Sequence, residues 1–118
     1  MDAGEIARLL AKYRFFFCNE TELQDRLQVA LLRNGIGHER EFRLSAKDRP
    51  DFLACGEIVI EVKIKGSRTE VMRQLARYAS FDQVKAIVLV TTKANHLTMP
   101  QTLNGKPIHV ASLLSGAF

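Results

Sequence analysis

The chain has 118 residues, 47% of them hydrophobic, and its 17 lysines and arginines outnumber 13 acidic residues to give a net charge of +4. This composition is typical of one globular domain with a core and excludes a disordered chain. No apolar run approaches the roughly 20 residues that cross a bilayer, and the charged N-terminus is unlike a signal peptide, so we expect one cytoplasmic domain over residues 1–118 without a membrane partner.

Two helices are predicted ahead of the first strand. Asp2, with Glu5 three residues later, begins an apolar pattern of helical spacing that continues to Phe17. Asn19 and Glu22 form the same kind of start for a second helix, which the turn sequence NGIG ends. Both helices carry apolar residues on one side, so we expect them to pack on a sheet.

The rest of the sequence alternates between strand and helix patterns. Ser67 with Glu70 predicts the start of a helix that runs to about Phe81. The predicted strands are EREFRLS (39–45), PDFLA (50–54), EIVIEVKIK (57–65), KAIVLVTT (85–92) and, before a last turn, PIHVASLL (107–114). NGK (104–106) is a predicted turn. This order predicts the α/β class, as an α+β sandwich in which helices flank a mixed sheet.

The strand that contains Glu61 and Lys63 carries charges in an otherwise apolar, β-branched run. Side chains alternate along a strand, so these two residues share one face. One interpretation is a solvated face with an ordinary charge pair. The other interpretation is a metal site, and Asp51, which follows Pro50 on the preceding strand, favours it. Two carboxylates on adjacent strands repel each other unless a cation lies between them. Such oxygen ligands suit Mg²⁺ or Mn²⁺.

The length of the connection between these strands decides whether the acids meet. A two-residue turn would pair Asp51 with Ile60 and point it away from Glu61. A three-residue connection at Cys55–Glu57, or a compensating bulge, brings Asp51 opposite Glu61 and Phe52 opposite Ile60 on an apolar face. We predict this second register.

Pro50-Asp51, a nine-residue gap and then Glu61-Val62-Lys63 on an apolar strand resemble the signature of the PD-(D/E)XK nuclease superfamily. The resemblance spans residues 19–92 approximately. It implies a restriction-endonuclease-like αβββαβ core, here preceded by one extra helix. The compact layout looks most like the small stand-alone virus-type replication-repair nucleases and the Holliday-junction resolvases.

Carried over by position, the resemblance implies a metal ion, Mg²⁺ or Mn²⁺, held by Asp51, Glu61 and the backbone carbonyl of Val62. It implies that Lys63 assists the attacking water. Three residues on the helices match the family more loosely: Glu22, Gln74 and Tyr78. Glu22 is equally well explained as a helix-capping residue, and the other two by hydrogen bonding and packing at the edge of the core.

Basic residues cluster on both sides of the charged strand, which predicts contact with nucleic-acid phosphates. The candidates for binding DNA are Arg49, Lys65, Arg68, Arg73, Arg77 and Tyr78. The predicted function is a metal-dependent DNA endonuclease that recognises DNA structure rather than a long sequence and uses no small-molecule cofactor. The alternative is a nuclease fold that has lost cleavage and binds DNA or a protein partner.

A homodimer is also predicted. A domain of this size covers little DNA, and cutting both strands of a symmetric junction needs two sites, which favours C2 symmetry. The aromatic sequence RFFFC (14–18) is the candidate interface. Its alternative role is to pack against the sheet as part of the core.

Overall fold

The computed structural model describes residues 1–113. Its helices are α1 (Ala3–Ala11), α2 (Glu20–Arg33) and α3 (Arg68–Ala79), with a short 3-10 helix at Ala94–His96. Its strands are β1 (His38–Arg40), β2 (Phe52–Ala54), β3 (Ile58–Lys63), β4 (Ala86–Thr91), β5 (Thr102–Leu103) and β6 (Lys106–Ser112). This is the predicted order of elements with one additional strand, β5. No helix in the described residues is long and apolar enough to cross a membrane.

The six strands form one mixed sheet in the order β1-β2-β3-β4-β6-β5. β1, β2 and β3 are antiparallel neighbours, whereas β3, β4 and β6 run parallel to one another. β5 lies antiparallel to β6 at the far edge. Parallel neighbours need a long connection from one end of the sheet to the other, and α3 forms that connection between β3 and β4. The prediction of a mixed sheet flanked by helices is confirmed.

Two apolar cores lie on the two faces of the sheet. On one face, Phe52 and Ile60 pack with the buried residues of α1 and α2. On the other, Leu53 and Val59 pack with the buried residues of α3. Every residue of β4 is buried, as its continuous apolar run predicts for a central strand that is covered on both sides.

The three predicted helix starts are confirmed by their capping hydrogen bonds. The side chains of Asp2, Asn19 and Ser67 accept hydrogen bonds from the backbone N–H three residues later, at 2.8, 2.8 and 3.1 Å respectively. At Asp2 the contact is reciprocal, since the Glu5 carboxylate accepts from the Asp2 N–H. Each of these bonds satisfies a helix N–H that has no partner within its helix.

The first helix is shorter than predicted, because α1 ends at Ala11 and does not reach Phe17. Beyond it the chain crosses to α2, where the Tyr13 hydroxyl accepts a hydrogen bond from Asn34 at 2.8 Å. Phe15 stacks on Tyr13 with the ring centroids 5.3 Å apart. The apolar spacing of these aromatics therefore reflects packing of an irregular segment rather than another helical turn.

The strand predicted over 39–45 is also shorter, because β1 ends at Arg40. Arg40 pairs with Phe52, the first residue of β2. One further backbone bond, from the Glu41 N–H to the Asp51 carbonyl at 2.8 Å, follows this pair, whereas the Asp51 N–H donates to Glu61 rather than to β1. Glu41 takes a positive φ of 55°, and the chain leaves the sheet in a loop.

The turn predicted at NGK is confirmed, and it joins β5 to β6. Asn104 and Gly105 have φ angles of 50° and 76°, the left-handed pair that a tight hairpin requires. β5 has two residues, too few for a strand pattern in the sequence. β6 has seven residues, and most of the predicted last turn lies outside the described residues.

Candidate active site

The register of β2 against β3 brings Asp51 opposite Glu61. Phe52 pairs with Ile60 and Ala54 with Ile58, as predicted, so one step further along the ladder 51 faces 61. The connection Cys55–Glu57 has the three residues that this register needs. Cys55 and Gly56 both have positive φ angles, 55° and 74°, which close the loop.

Each carboxylate holds the backbone of the opposite strand. The Asp51 N–H donates to Oε1 of Glu61 at 2.9 Å, and the Val62 N–H donates to Oδ2 of Asp51 at 2.7 Å. These bonds fix both carboxyl groups where the pairing of β2 and β3 ends. The two carboxyl groups also share a side-chain hydrogen bond, which lowers the pKa of Asp51.

Glu61 is deeply buried next to Lys63 and Tyr78. Its exposed fraction is 2%. Its Oε2 lies 3.5 Å from the Lys63 ammonium, an ion pair at long range, and 3.4 Å from the Tyr78 hydroxyl. Both distances exceed those of strong charge-assisted hydrogen bonds. The positive charge and the hydroxyl therefore compensate only weakly for the burial of this carboxylate.

Burial is the main reason that the pKa values of both acids are raised. Burial raises the pKa of Glu61 to about 8, and the charge of Asp51 adds to that effect. Burial raises the pKa of Asp51 to about 6, with a contribution from the charge of Glu20. The pKa of Tyr78 is also raised, first by burial and then by Glu61. The pair therefore retains a proton near neutral pH when no cation is bound.

An acid of α2 that was not predicted, Glu20, acts on Asp51, and the site role of Glu22 stays a prediction. Glu20 is the first residue of α2, and its charge contributes to the raised pKa of Asp51. Glu22 donates its backbone N–H to the capping side chain of Asn19. The sequence contains both acids two positions apart, and only the direction in which α2 approaches the sheet distinguishes them.

Two pockets lined mainly by basic residues lie next to Lys63 and Tyr78, and we call them the two lobes of a basic groove; Asp51 and Glu61 line neither, and Glu70 lines the first. One lobe has a volume of about 320 Å³ and is lined by Lys63, Lys65, Arg73, Gln74 and Arg77 among others. The other has a volume of about 270 Å³ and is lined by Arg43, Lys47, Arg49, Gln74 and Tyr78 among others. Gln74 belongs to both lobes, so it marks the place where they meet.

Two of the predicted phosphate-binding arginines already have protein partners. Arg68 donates from Nε and Nη2 to the Thr98 carbonyl at 2.9 and 2.6 Å, which ties α3 to the loop after β4. Arg77 forms an ion pair with Asp48 while its side chain still lines the groove. Arg68 does not line either lobe.

One buried polar centre was not predicted as part of any site. His96 is fully buried, and its Nδ1 lies 2.8 Å from the Thr91 hydroxyl. Its Nε2 lies 2.8 Å from the Gly66 carbonyl, which can only accept, so Nε2 carries the proton. Thr91 is the last residue of β4 and pairs with Lys63. His96 stands in a polar loop sequence, and nothing in that sequence predicts that its ring is buried against Thr91 and Gly66.

Comparisons of the chain with protein-family models, with curated proteins and with solved structures found no match. Within residues 1–113, no group of three or more His, Cys, Asp and Glu side chains has an arrangement that could hold a metal ion. The acid pair offers two carboxylates, and any further ligand must come from the backbone, solvent or substrate.

Proposed function

We propose that this chain is a metal-dependent deoxyribonuclease of the PD-(D/E)XK superfamily with a restriction-endonuclease-like core. One observation carries the proposal. Two carboxylates from adjacent strands lie opposite each other with raised pKa values, and Lys63, which lies 3.5 Å from one of them, lines the neighbouring basic groove. Acids whose pKa values are raised by burial and by a neighbouring charge are typical of functional sites.

The donor groups fit a hard divalent cation such as Mg²⁺ or Mn²⁺. Asp51, Glu61 and the backbone carbonyl of Val62 would hold it. The raised pKa of Glu61 supports this assignment, because burial and the charge of Asp51 cause it and a bound dication would compensate both effects. A bound ion of this kind polarises the phosphate and lowers the pKa of water, while waters complete its ligand shell.

Lys63 is the residue proposed to act on the attacking water and on the charge that develops at the phosphate. Its ammonium lies 3.5 Å from Oε2 of Glu61, so it is positioned beside the metal-binding carboxylate. Gln74 lies between the lobes of the groove, where its amide can donate to a phosphate oxygen. Tyr78 contacts Glu61 and holds the carboxylate from the α3 side.

The basic groove is proposed to bind the DNA backbone. Phosphate contacts from Arg49 in one lobe and from Lys65, Arg73 and Arg77 in the other would fix a strand across the acid pair. Contacts to phosphates do not depend on the base sequence, and this supports recognition of DNA structure. A C2 homodimer that presents two sites to a symmetric junction remains part of this proposal.

A second candidate function is a binding module of the same fold that has lost cleavage. The observation that favours it is the set of backbone bonds to the acids, since the Asp51 and Val62 N–H groups already satisfy one oxygen of each carboxylate. On this alternative the acids terminate the pairing of β2 and β3, and the groove binds DNA or a protein partner without chemistry.

The two candidates differ in their response to divalent ions. A nuclease should show a higher melting temperature in Mn²⁺ than in EDTA, because an ion that binds only the folded state stabilises it. It should also cut at least one DNA in a panel of single-stranded, nicked, flapped and four-way-junction substrates. Absence of both responses in wild type would leave the binding module as the better description.

A further inference from the structure

A second groove rich in arginine and aromatic residues lies between α2 and the segment 12–19 that joins it to α1. Its volume is about 200 Å³. Its charged and aromatic lining consists of Tyr13, Arg14, Phe15, Phe16, Arg26 and Arg33. Among the described residues that line it, none is acidic. We call this the aromatic groove.

Phe16 is held outward by its neighbours. Its exposed fraction is 79%, the highest of the large apolar side chains in residues 1–113. Phe15 stacks on Tyr13, and the Tyr13 hydroxyl is bonded to Asn34 at the end of α2. Two ordered aromatic residues therefore anchor the segment and leave the face of the third open to solvent.

The arginines of the aromatic groove have no acidic partner. Within residues 1–113, Arg14, Arg26 and Arg33 form no ion pair, whereas Arg40 pairs with Asp25 and Arg77 with Asp48. All three are exposed. Three unpaired guanidinium groups around an exposed ring favour a polyanion over a purely apolar partner.

We propose that the aromatic groove binds single-stranded nucleic acid, with a base stacked on Phe16 and phosphates held by the three arginines. Proteins that bind single strands combine exposed aromatic rings with basic residues, because every base can stack on a ring and every phosphate carries a negative charge. The arginines also disfavour a dimer through this surface, since a two-fold axis would bring like charges together. Binding of a single strand in the aromatic groove does not depend on the proposed nuclease function. Only the connection between this groove and the acid pair rests on that function.

That link is α2 itself. Glu20, at the start of α2, acts on Asp51, while Arg26 and Arg33 lie further along the same helix. At 1.5 Å rise per residue, they lie about 9 and 20 Å from Glu20 along the axis. A DNA strand that leaves the acid pair past Glu20 can follow α2 into the aromatic groove, so the preferred DNA should carry a single-stranded tail.

The test is fluorescence anisotropy with labelled oligothymidylate in EDTA, where binding is measured without cleavage. Phe16→Ala should weaken binding by about tenfold, the usual scale for one stacked base. Phe16→Tyr keeps a ring and should bind like wild type. Arg26→Gln combined with Arg33→Gln should weaken binding and reduce its dependence on salt by roughly one to two released ions. Lys85→Gln and Leu32→Ser, exposed changes outside the groove, are the matched controls.

Two results would overturn the proposal. The first is wild-type affinity for oligothymidylate in both Phe16→Ala and the double arginine variant. The second is unchanged affinity in Phe16→Ala together with a shift from dimer to monomer in light scattering, which would make the groove a self-association surface. Failure of the nuclease proposal looks different, because DNA is then uncut in Mn²⁺ while the Phe16→Ala loss of binding persists.

Discussion

Two buried polar centres lie side by side at one end of the sheet, and they differ in how their polar atoms are satisfied. His96 has a partner on each ring nitrogen, both at 2.8 Å, and these partners are uncharged. Glu61 has a second carboxylate opposite it and its nearest cation at 3.5 Å. A buried group with a short neutral hydrogen bond on each polar atom is typical of a structural role, whereas a buried carboxylate with no close opposite charge is typical of functional sites.

The largest expected effect separates chemistry from metal binding at the acid pair. Lys63→Ala should lower DNA cleavage in Mn²⁺ by about a hundredfold or more, the usual scale for a positioned acid-base group. It should leave Mn²⁺ binding intact, because Lys63 is not a ligand and its removal takes a positive charge away. A plasmid-nicking assay and calorimetric Mn²⁺ titration measure the two quantities.

Glu61→Gln is the matched variant for that experiment. It removes a negative charge from the proposed ligands and should weaken both Mn²⁺ binding and cleavage. DNA binding should survive both changes, since the groove arginines are untouched. Equal nicking rates for wild type and Lys63→Ala would make Lys63 a structural charge and nothing more.

The second prediction concerns the buried hydrogen bonds of His96. His96→Leu leaves the Gly66 carbonyl without its side-chain partner, so the free energy of unfolding should fall by about 1–3 kcal/mol; the Thr91 hydroxyl still accepts from the Lys93 N–H at 3.0 Å. The affinity for Mn²⁺, measured by calorimetry on folded protein, should not change. His109→Leu, at a half-buried histidine on β6, is the control. Loss of Mn²⁺ binding with little loss of stability would move His96 into the metal site.

The third prediction is a pH dependence that only the acid pair should produce. The folded-state pKa of Glu61 is about 8 and that of Asp51 about 6, against ordinary values of 4.5 and 3.8. The folded protein then binds more protons than the unfolded chain between about pH 4 and 8, so stability falls as pH rises through that range.

Melting curves in EDTA across this range test the sign of the effect. Glu61→Gln cannot ionise at position 61, so its melting temperature should fall less steeply than that of wild type. Mn²⁺ should restore wild-type stability most at the upper end of the range. If the melting temperatures of wild type and Glu61→Gln fall equally with pH, Asp51 and Glu61 do not retain a proton near neutral pH.

The smallest expected effect distinguishes the two acids of α2. Glu20→Gln removes a charge that acts on Asp51 and should change Mn²⁺ affinity by less than about tenfold, a scale typical of outer-shell partners at most. Glu22→Gln keeps the backbone N–H that caps α2 and should leave Mn²⁺ affinity unchanged. The reverse order of effects would restore the assignment made from the sequence.

Local signals in the sequence were sufficient for the helix starts and the central strands. Capping pairs such as Ser67 and Glu70 act over three residues, and β4 is apolar throughout because both its faces are covered. The predictions for the ends of α1 and β1 were wrong, since neighbouring elements decide them. α1 stops where Tyr13 meets α2, and β1 stops where Glu41 takes a positive φ and the Asp51 N–H donates to Glu61.

The sequence by itself was enough to predict the contact between Asp51 and Glu61, because alternation along a strand leaves few registers, and the structure shows the three-residue connection at Cys55–Glu57 that this one needs. Tertiary structure alone decided that Glu20 acts on the pair, that Arg68 holds a loop carbonyl, and that Phe16 faces solvent. Those outcomes depend on how separate elements approach one another, and no spacing within a single element records that geometry.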